Sequence, residues 1–459
     1  MMTAFFLFLT PMHRHFKKIW IITMVLAVFA QPVRAEKIIL EYWDKWAGLD
    51  GPAMENAVKG FNASQDRIEV RYTAISQIDV KLMLAIAGRH PPDIAGLFTS
   101  RLYPYIDNNA LLPLDVLAEK AGIKKEDYLP IIWDMCHYRG HLWALPTTPL
   151  DEALCWNKRL FREAGLDPNK APRTIAEFEE YNEKISKPNP DGKSYKIFGH
   201  LPSRPWWHSQ WGFWFGGRLW DGESRITATD EGNRLALEWI ASYPKRFGLH
   251  QILAFTEGGS NAGTSTATID PFLQERVAME MCGPWIADSI LKYASKQFEL
   301  GVAPFPTLTG QGPPVTAVES DIITIPVGSK HVREAFEFIC YVNQQKVMEK
   351  LCSEHCQFSP LSKVSDAFWK NHPNPYIRTF YDLASSPGAQ PLPQTTVWYE
   401  YDKEFNQAIQ EVWALRLAPD VALKQVQERI QPKLDQRVDR WKNLQGKLDK
   451  IWTEEENNP

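Results

Sequence analysis

Between Arg204 and Gly222 the chain reads RPWWHSQWGFWFGGRLWDG, which sets Trp206, Trp207, Trp211, Trp214 and Trp220 with Phe213 and Phe215 among His208, Ser209, Gln210 and paired glycines. Aromatic faces are broad and apolar, yet every indole N–H needs a hydrogen-bond partner, so such a run suits a surface that is half greasy and half polar. A sugar ring is that kind of surface. Trp211, Trp214 and Phe215 sit at i, i+3, i+4, one helix face, which a core explains without any ligand. Pro205, Trp206 and Trp207 come just before that pattern in a Pro-broken loop, a kind of segment that often carries contacts on a rigid scaffold. The 18 Trp among 459 residues exceed what a core alone ordinarily uses.

Cleavage of a glycan would need two carboxylates flanking the bond, and none of the many acids stands in a motif that singles out a pair. Gly-x-Ser-x-Gly and His-Glu-x-x-His are absent, and Gly258-Gly259 lacks the lysine of a phosphate-cradling loop. No cofactor motif is present, and the expectation is a protein that is not an enzyme. Six cysteines are spread along the chain. Cys340, Cys352, His355 and Cys356 cluster in sequence, so a disulfide from Cys352 to Cys340 or to Cys356 is expected if the compartment is oxidising, with Cys136 and Cys155 a weaker pair. A zinc site from Cys352, His355 and Cys356 lacks a fourth ligand at a usual spacing, so no metal is expected. Cys282 reads as a small buried residue.

The elements that must position these groups begin after an export signal. Arg14, Lys17 and Lys18 form a basic region, Ile19 to Ala30 an apolar run too short to span a bilayer, and Val33-Arg34-Ala35 a cleavage site. Translation starting at Met1 or at Met12 would both supply it. Glu36 follows, so no lipid-anchor cysteine stands at the new N-terminus, and a soluble periplasmic protein is expected. The signal carries four basic residues and no acid, so its removal moves the formal net charge from −4 to −8 over 424 residues. That balance argues against a nucleic-acid partner, and the length argues for two domains.

Lys37 to Trp43 is strand-like; Met54, Ala57, Val58 and Phe61 follow a helical period; Ile68, Val70 and Tyr72 alternate; Val80 to Ala87 is helical; Asp93 to Phe98 is a further strand. A β-α-β-α-β opening implies an α/β fold with a mostly parallel sheet. After Leu145-Pro146 a second series starts: strand at Leu154 to Trp156, helix at Arg159 to Ala164, and a Thr174/Glu177 capping box opening a helix through Lys184. Glu257 to Thr268 is a loop before a strand at Val277 to Met281. Val315 to Ile325 is strand-like and Val332 to Cys340 helical. Val438, Trp441, Leu444 and Leu448 place a final helix, read as lying on the second lobe.

Several stretches, in order, resemble the family 1 extracellular solute-binding proteins, the maltodextrin-binding type that serves ABC sugar importers. Tyr138-Arg139-Gly140 through Ala144-Leu145-Pro146, then Leu154-Cys155-Trp156-Asn157-Lys158-Arg159-Leu160-Phe161-Arg162-Glu163-Ala164-Gly165-Leu166, is similar to that family's signature. Trp143 and Trp156 stand where Tyr is usual and remove two hydroxyls, and Ile175 replaces a usual Trp. Pro92-Asp93-Ile94, Pro172-x-Thr174-x-x-Glu177-Phe178, Cys282-Gly283-Pro284-Trp285 and Val302-Ala303-Pro304-Phe305-Pro306 are further landmarks.

The resemblance implies a two-lobed periplasmic-binding-protein fold of type II, each lobe a mostly parallel sheet flanked by helices, with a ligand cleft between. It puts residues 36–147 and 300–355 in the N-terminal lobe and 148–299 and 356–459 in the C-terminal lobe, with crossings near Pro146, Gly301 and Cys356. It also implies a monomer that captures a sugar or oligosaccharide by hinge closure and delivers it to inner-membrane ABC permease subunits. A sugar phosphate or other non-carbohydrate solute, and an exported hydrolase, are the alternatives. Carried over by position, Trp285 would stack on sugar or serve as core, and Trp206 and Trp207 would form the second-lobe platform. Trp398 and Tyr399 would meet ligand or pack helices. Trp43, Asp44 and Lys45 end strand one at the cleft, where Asp44 and Lys45 are either ligand groups or a solvated pair. Arg101 and Tyr103 occupy a cleft-facing loop, and Glu319, with Ser320 and Asp321, is a further ligand candidate.

Overall fold

The computed structural model describes residues 37–46, 51–202, 209–257 and 270–457. The expected export signal, Trp206, Trp207 and residues 258–268 lie outside the described residues. The opening alternation folds as read, through β1 (Ile38–Asp44), α1 (Gly51–Ser64), β2 (Ile68–Ala74), α2 (Ile78–Ala87), β3 (Ile94–Phe98) and α3 (Thr99–Asp107). β1 runs parallel to β2 and to β3, the pairing that crossover helices produce. Residues Met54, Ala57, Val58 and Phe61 form the buried stripe of α1.

Six further strands complete two sheets: β4 (Leu145–Asp151), β5 (Ala153–Asn157), β6 (Met279–Cys282), β7 (Leu300–Ala303), β8 (Val315–Thr324) and β9 (Gly388–Pro391). The larger sheet has the order β9-β8-β3-β1-β2, with β4 also paired to β8. In it β8 is antiparallel to β3 and β4 and parallel to β9. The smaller sheet, β6-β5-β7, is antiparallel throughout. The parallel expectation therefore holds for the β1–β3 core and for the β8–β9 pair, but not for the smaller sheet, where β6 and β7 both meet β5 after the chain has reversed.

β4 and β8 join the lobes. Every residue of β4 and nine of the ten in β8 are buried, and within β8 Ala317 belongs to the second-lobe core while Val318, Ile322 and Ile323 belong to the first. β7, which contains Gly301, is held in the smaller sheet by pairing with β5. Phe358, Leu361, Phe368 and Phe380 pack in the same cluster as the β1–β3 core, and Leu392 and Val397 pack in the cluster that holds Trp211 and Trp214.

The second lobe is built on α4 (Ile175–Ile185), α5 (Glu231–Phe247), α6 (Trp398–Trp413) and α7 (Pro419–Asn457). Thr174 caps α4 by accepting from Glu177 N at 3.0 Å, and the Glu177 carboxylate reaches back to Arg173 N at 2.8 Å. Ser209–Phe215 is a 3-10 turn rather than an α-helix. In it Trp211 and Trp214 are each 1 % exposed, packed on Trp239 and Phe305, so this aromatic stripe is core. Gly212 permits the packing, since a Cβ there would lie 1.8 Å from Asn233 Oδ1. α7 is not confined to the second lobe: Ala422, Val426, Ile430 and Leu434 pack there, but Trp441 joins the first-lobe core, with the Arg139 guanidinium 3.7 Å from its ring centroid.

The expected disulfides are not formed; all six cysteines are free thiols. Cys352 Sγ points to Thr147 O and Cys356 Sγ to Pro284 O, each at 3.7 Å, so the two thiols serve different neighbours. Cys136 and Cys155 are fully buried, and the Cys155 thiol contacts Cys282 across the β5–β6 pair. Among the described residues no three His, Cys, Asp or Glu side chains are placed to hold a metal.

Candidate ligand-binding cleft

β1 ends where the sheet meets the crossing strands, and its last residues are drawn into a buried polar network. Tyr42 Oη donates to Asp44 Oδ2 at 2.7 Å, and Lys45 N donates to Asp44 Oδ1 at 2.7 Å. Lys45 Nζ lies 2.7 Å from Asp321 Oδ1 and 3.5 Å from Asp44 Oδ1, donates to Leu97 O and stands over the Phe98 ring. Burial pulls this ammonium's pKa down, but two carboxylates outweigh burial and the net shift is upward. A solvated surface pair is thereby ruled out, since Asp44 is 1 % exposed. Gly96 makes the site possible: a Cβ there would lie 2.5 Å from Asp44 Oδ1.

Trp43 is not part of this network, because strand alternation turns it to the face opposite Tyr42 and Asp44. Trp46 takes that place, with its ring 4.8 Å from His355 and 5.1 Å from Lys45 Nζ. Thr148 Oγ1 donates to Asp321 Oδ2 at 2.5 Å, and His355 Nδ1 lies 3.2 Å from Thr148 Oγ1. These groups line a small pocket of about 10 Å³, room for roughly one water.

Along β8, Glu319 is 3 % exposed and accepts from Ser100 Oγ and from Ser100 N. Burial raises its carboxyl to about 7, against the opposing pull of Ser100 and Arg101. Arg101 extends from α3 to Asp79 Oδ2 at 3.8 Å and stacks at 4.9 Å over Tyr399 at the start of α6, so one cation touches both lobes. Tyr399 is 59 % exposed, whereas its neighbour Trp398 is 4 % exposed and packs edge-on to Tyr401. Trp398 is core. Tyr103, two residues beyond Arg101 and so on the opposite side of α3, is 1 % exposed and donates to Met135 O; it does not face the cleft. Trp285 is half-buried, its ring folded over Gly283, and the preceding Pro284 O accepts from Asn374 Nδ2 at 2.7 Å.

The structure therefore brings together Asp44, Lys45 and Asp321, then Glu319 and Arg101 with Tyr399. Sequence reading missed Ser100, Thr148 and Trp46, and it treated His355 only as a zinc candidate. The one available signal was Thr147-Thr148 set between two prolines on a buried strand. Trp143 and Trp156 are buried, their indoles donating to Tyr138 O and Pro168 O.

Two α/β lobes sharing two long strands, with a polar floor where those strands cross, define a cleft-binding protein. The chain belongs to the bacterial extracellular solute-binding protein family, whose model matches residues 46–349. It is similar to the sn-glycerol-3-phosphate-binding periplasmic protein UgpB of Brucella abortus (strain 2308), 29 % identical over 155 residues, 32 % of this chain and 35 % of that protein. It thus matches only about a third of the length of such relatives. The maltotriose-binding protein of Pyrococcus abyssi (strain GE5 / Orsay) is 24 % identical over 313 residues, covering 67 % of this chain and 63 % of that one. The solved structure of CpMnBP1 with mannobiose bound superposes with a TM-score of 0.76 at 25 % identity, covering 86 % of this chain and 99 % of that chain. Among the described residues no helix is long and apolar enough to cross a membrane.

Proposed function

We propose that this chain is the exported solute receptor of an ABC importer, capturing a neutral sugar or oligosaccharide between its lobes and presenting it to inner-membrane permease subunits from the periplasm. The observation that carries this reading is the Arg101–Tyr399 contact, which joins the lobes beside the buried carboxyl of Glu319. An aromatic face next to hydroxyl-pairing groups suits a sugar ring, and closure around it follows from the ligand's greater affinity for the closed state. The mannobiose and maltotriose ligands named for two relatives support the carbohydrate class; the glycerol-phosphate relatives make a phosphorylated solute the second reading.

The test is a titration of residues 36–459 with mono- and oligosaccharides, following tryptophan fluorescence while the mixtures are assayed for cleavage. Saturable binding of intact sugar, weakened about tenfold or more by Tyr399→Ala, is expected. Release of cleavage products would replace the receptor with a hydrolase.

A further inference from the structure

α7 passes from one core to the other, with Pro432 on the way. Gln427 and Gln431 stand one turn apart and hold the segment 224–228. Gln427 Nε2 donates to Ile226 O while its Oε1 accepts from Ala228 N at 3.0 Å, and Gln431 Oε1 accepts from Ile226 N at 2.8 Å while its Nε2 donates to Ser224 O at 2.8 Å. Ala422, Leu423, Val426, Ile430 and Leu434 are buried in the core that holds Trp211 and Trp214. Trp441 is buried instead with the β1–β3 core, and α7 also touches the short helix Asp115–Ala121. From Leu434 to Trp441 is two turns, about 10 Å along the axis.

A turn builds the dock for Trp441. His137–Tyr138 and His141–Leu142 pair as a hairpin, and Arg139 and Gly140 between them have φ of 53° and 86°, left-handed at both positions as a type I′ turn requires. That backbone is unfavourable for a residue with a Cβ, yet it aims the arginine at a cluster. The guanidinium lies 3.7 Å from the Trp441 ring centroid and 4.6 Å from that of Tyr138, and Nε donates to Asp107 Oδ1 at 3.3 Å. Asp107, at the end of α3, also bonds Thr396 just before α6 and faces Arg437 of α7. Arg101, near the start of the same α3, stacks on Tyr399. Moving the two cores apart must therefore draw Trp441 from under Arg139 or bend α7. Pro432, which lacks the N–H that would bond the Glu428 carbonyl, is the turn where it bends most readily.

We propose that α7 is a strap: fixed through Gln427 and Gln431 to one core and pinned by Trp441 under Arg139 to the other, it resists separation of the two and so tightens the receptor's hold on its solute. The inference rests on the receptor reading above and deepens it, placing a control on the cleft in a helix that need not touch the ligand. Contacts made only while the cores are together add to the stability of that arrangement, and a solute that binds it gains affinity by the same factor. Arg139 and Trp441 are positioning residues in this scheme.

The experiment joins calorimetry with mannobiose and maltotriose to solution X-ray scattering, on residues 36–459 as wild type, Trp441→Ala, Arg139→Ala and, as a control at an exposed position of the same turn, Lys442→Ala. Trp441→Ala and Arg139→Ala are expected to bind the sugar about fivefold more weakly and to show a larger ligand-free radius of gyration. Their sugar-saturated radius should stay at the wild-type value, and Lys442→Ala should change nothing. A merely structural role would lower the melting midpoint without moving affinity or radius. Affinity and ligand-free radius both unchanged in Arg139→Ala, which leaves the apolar packing of Trp441 in place, overturns the strap. Weaker binding with no change of radius, or equal weakening in Lys442→Ala, overturns it as well. Should Trp441→Ala fail to melt cooperatively, Arg139→Ala decides alone. No heat from either sugar with the wild type defeats the receptor reading, and the ligand-free radii then judge the strap by themselves.

Discussion

His200 shows how burial alone sets a charge state. It is wholly buried against Trp239, Nδ1 lies 2.9 Å from Met279 O, and desolvation lowers its pKa to about 4. Between about 4 and 6.5 the folded chain then holds fewer protons than the unfolded one, so stability rises with pH across that window and about 3 kcal/mol is lost as pH falls through it. A proton NMR titration should find this imidazole still neutral at pH 5.5; protonation near 6.5 would contradict the burial argument. Glu319 has the opposite sign, because its raised carboxyl makes the folded state hold more protons between about 4.5 and 7. Relative to wild type, Glu319→Gln should gain up to about 3 kcal/mol of stability in denaturant melts as pH rises from 4.5 to 7. A difference that stays flat with pH would show the carboxyl ionised throughout. Asp44, Lys45, Arg101 and Tyr399 stand at strand and helix ends, where position alone gives a clue, whereas Glu319 lies in the middle of β8. Trp43 and Tyr103 face away from Asp44 and Arg101, since which side of an element a residue faces depends on one step of alternation or of helical turn.

At the scale of elements, local signals were the most readable. Thr174 with Glu177 marks the start of α4 by its own chemistry, and Thr174→Ala should cost about 1 kcal/mol in denaturant unfolding; no loss would show that tertiary packing alone fixes that end. The opening strands were legible because alternation and period survive in any context. β4 and β8 are buried nearly end to end although they carry Thr147, Thr148, Glu319, Ser320 and Asp321, so hydropathy alone did not reveal their burial. The antiparallel second sheet was equally invisible, because strand direction is set by connections and not by side-chain pattern. The aromatic stripe at 209–215 kept its buried face while tightening from an α to a 3-10 turn.

Across the whole molecule, α7 ties the two lobes. Its first turns are second-lobe core, and Trp441 docks in the first lobe under Arg139, which also pairs with Asp107 at 3.3 Å. A helix periodic from Ala422 to Trp441 does not reveal which body each turn will meet, which is why sequence assigned it to one lobe. A double-mutant cycle on Arg139→Ala and Trp441→Ala should return a coupling of about 1–2 kcal/mol; additive effects would mean the stacked pair contributes nothing. Closure of the lobes on a sugar is expected to compact the molecule. Solution X-ray scattering of residues 36–459, with and without a saturating oligosaccharide shown by calorimetry to bind, tests it most directly. A smaller radius of gyration in the bound state is the predicted result, and an unchanged profile with the sugar demonstrably bound would contradict closure.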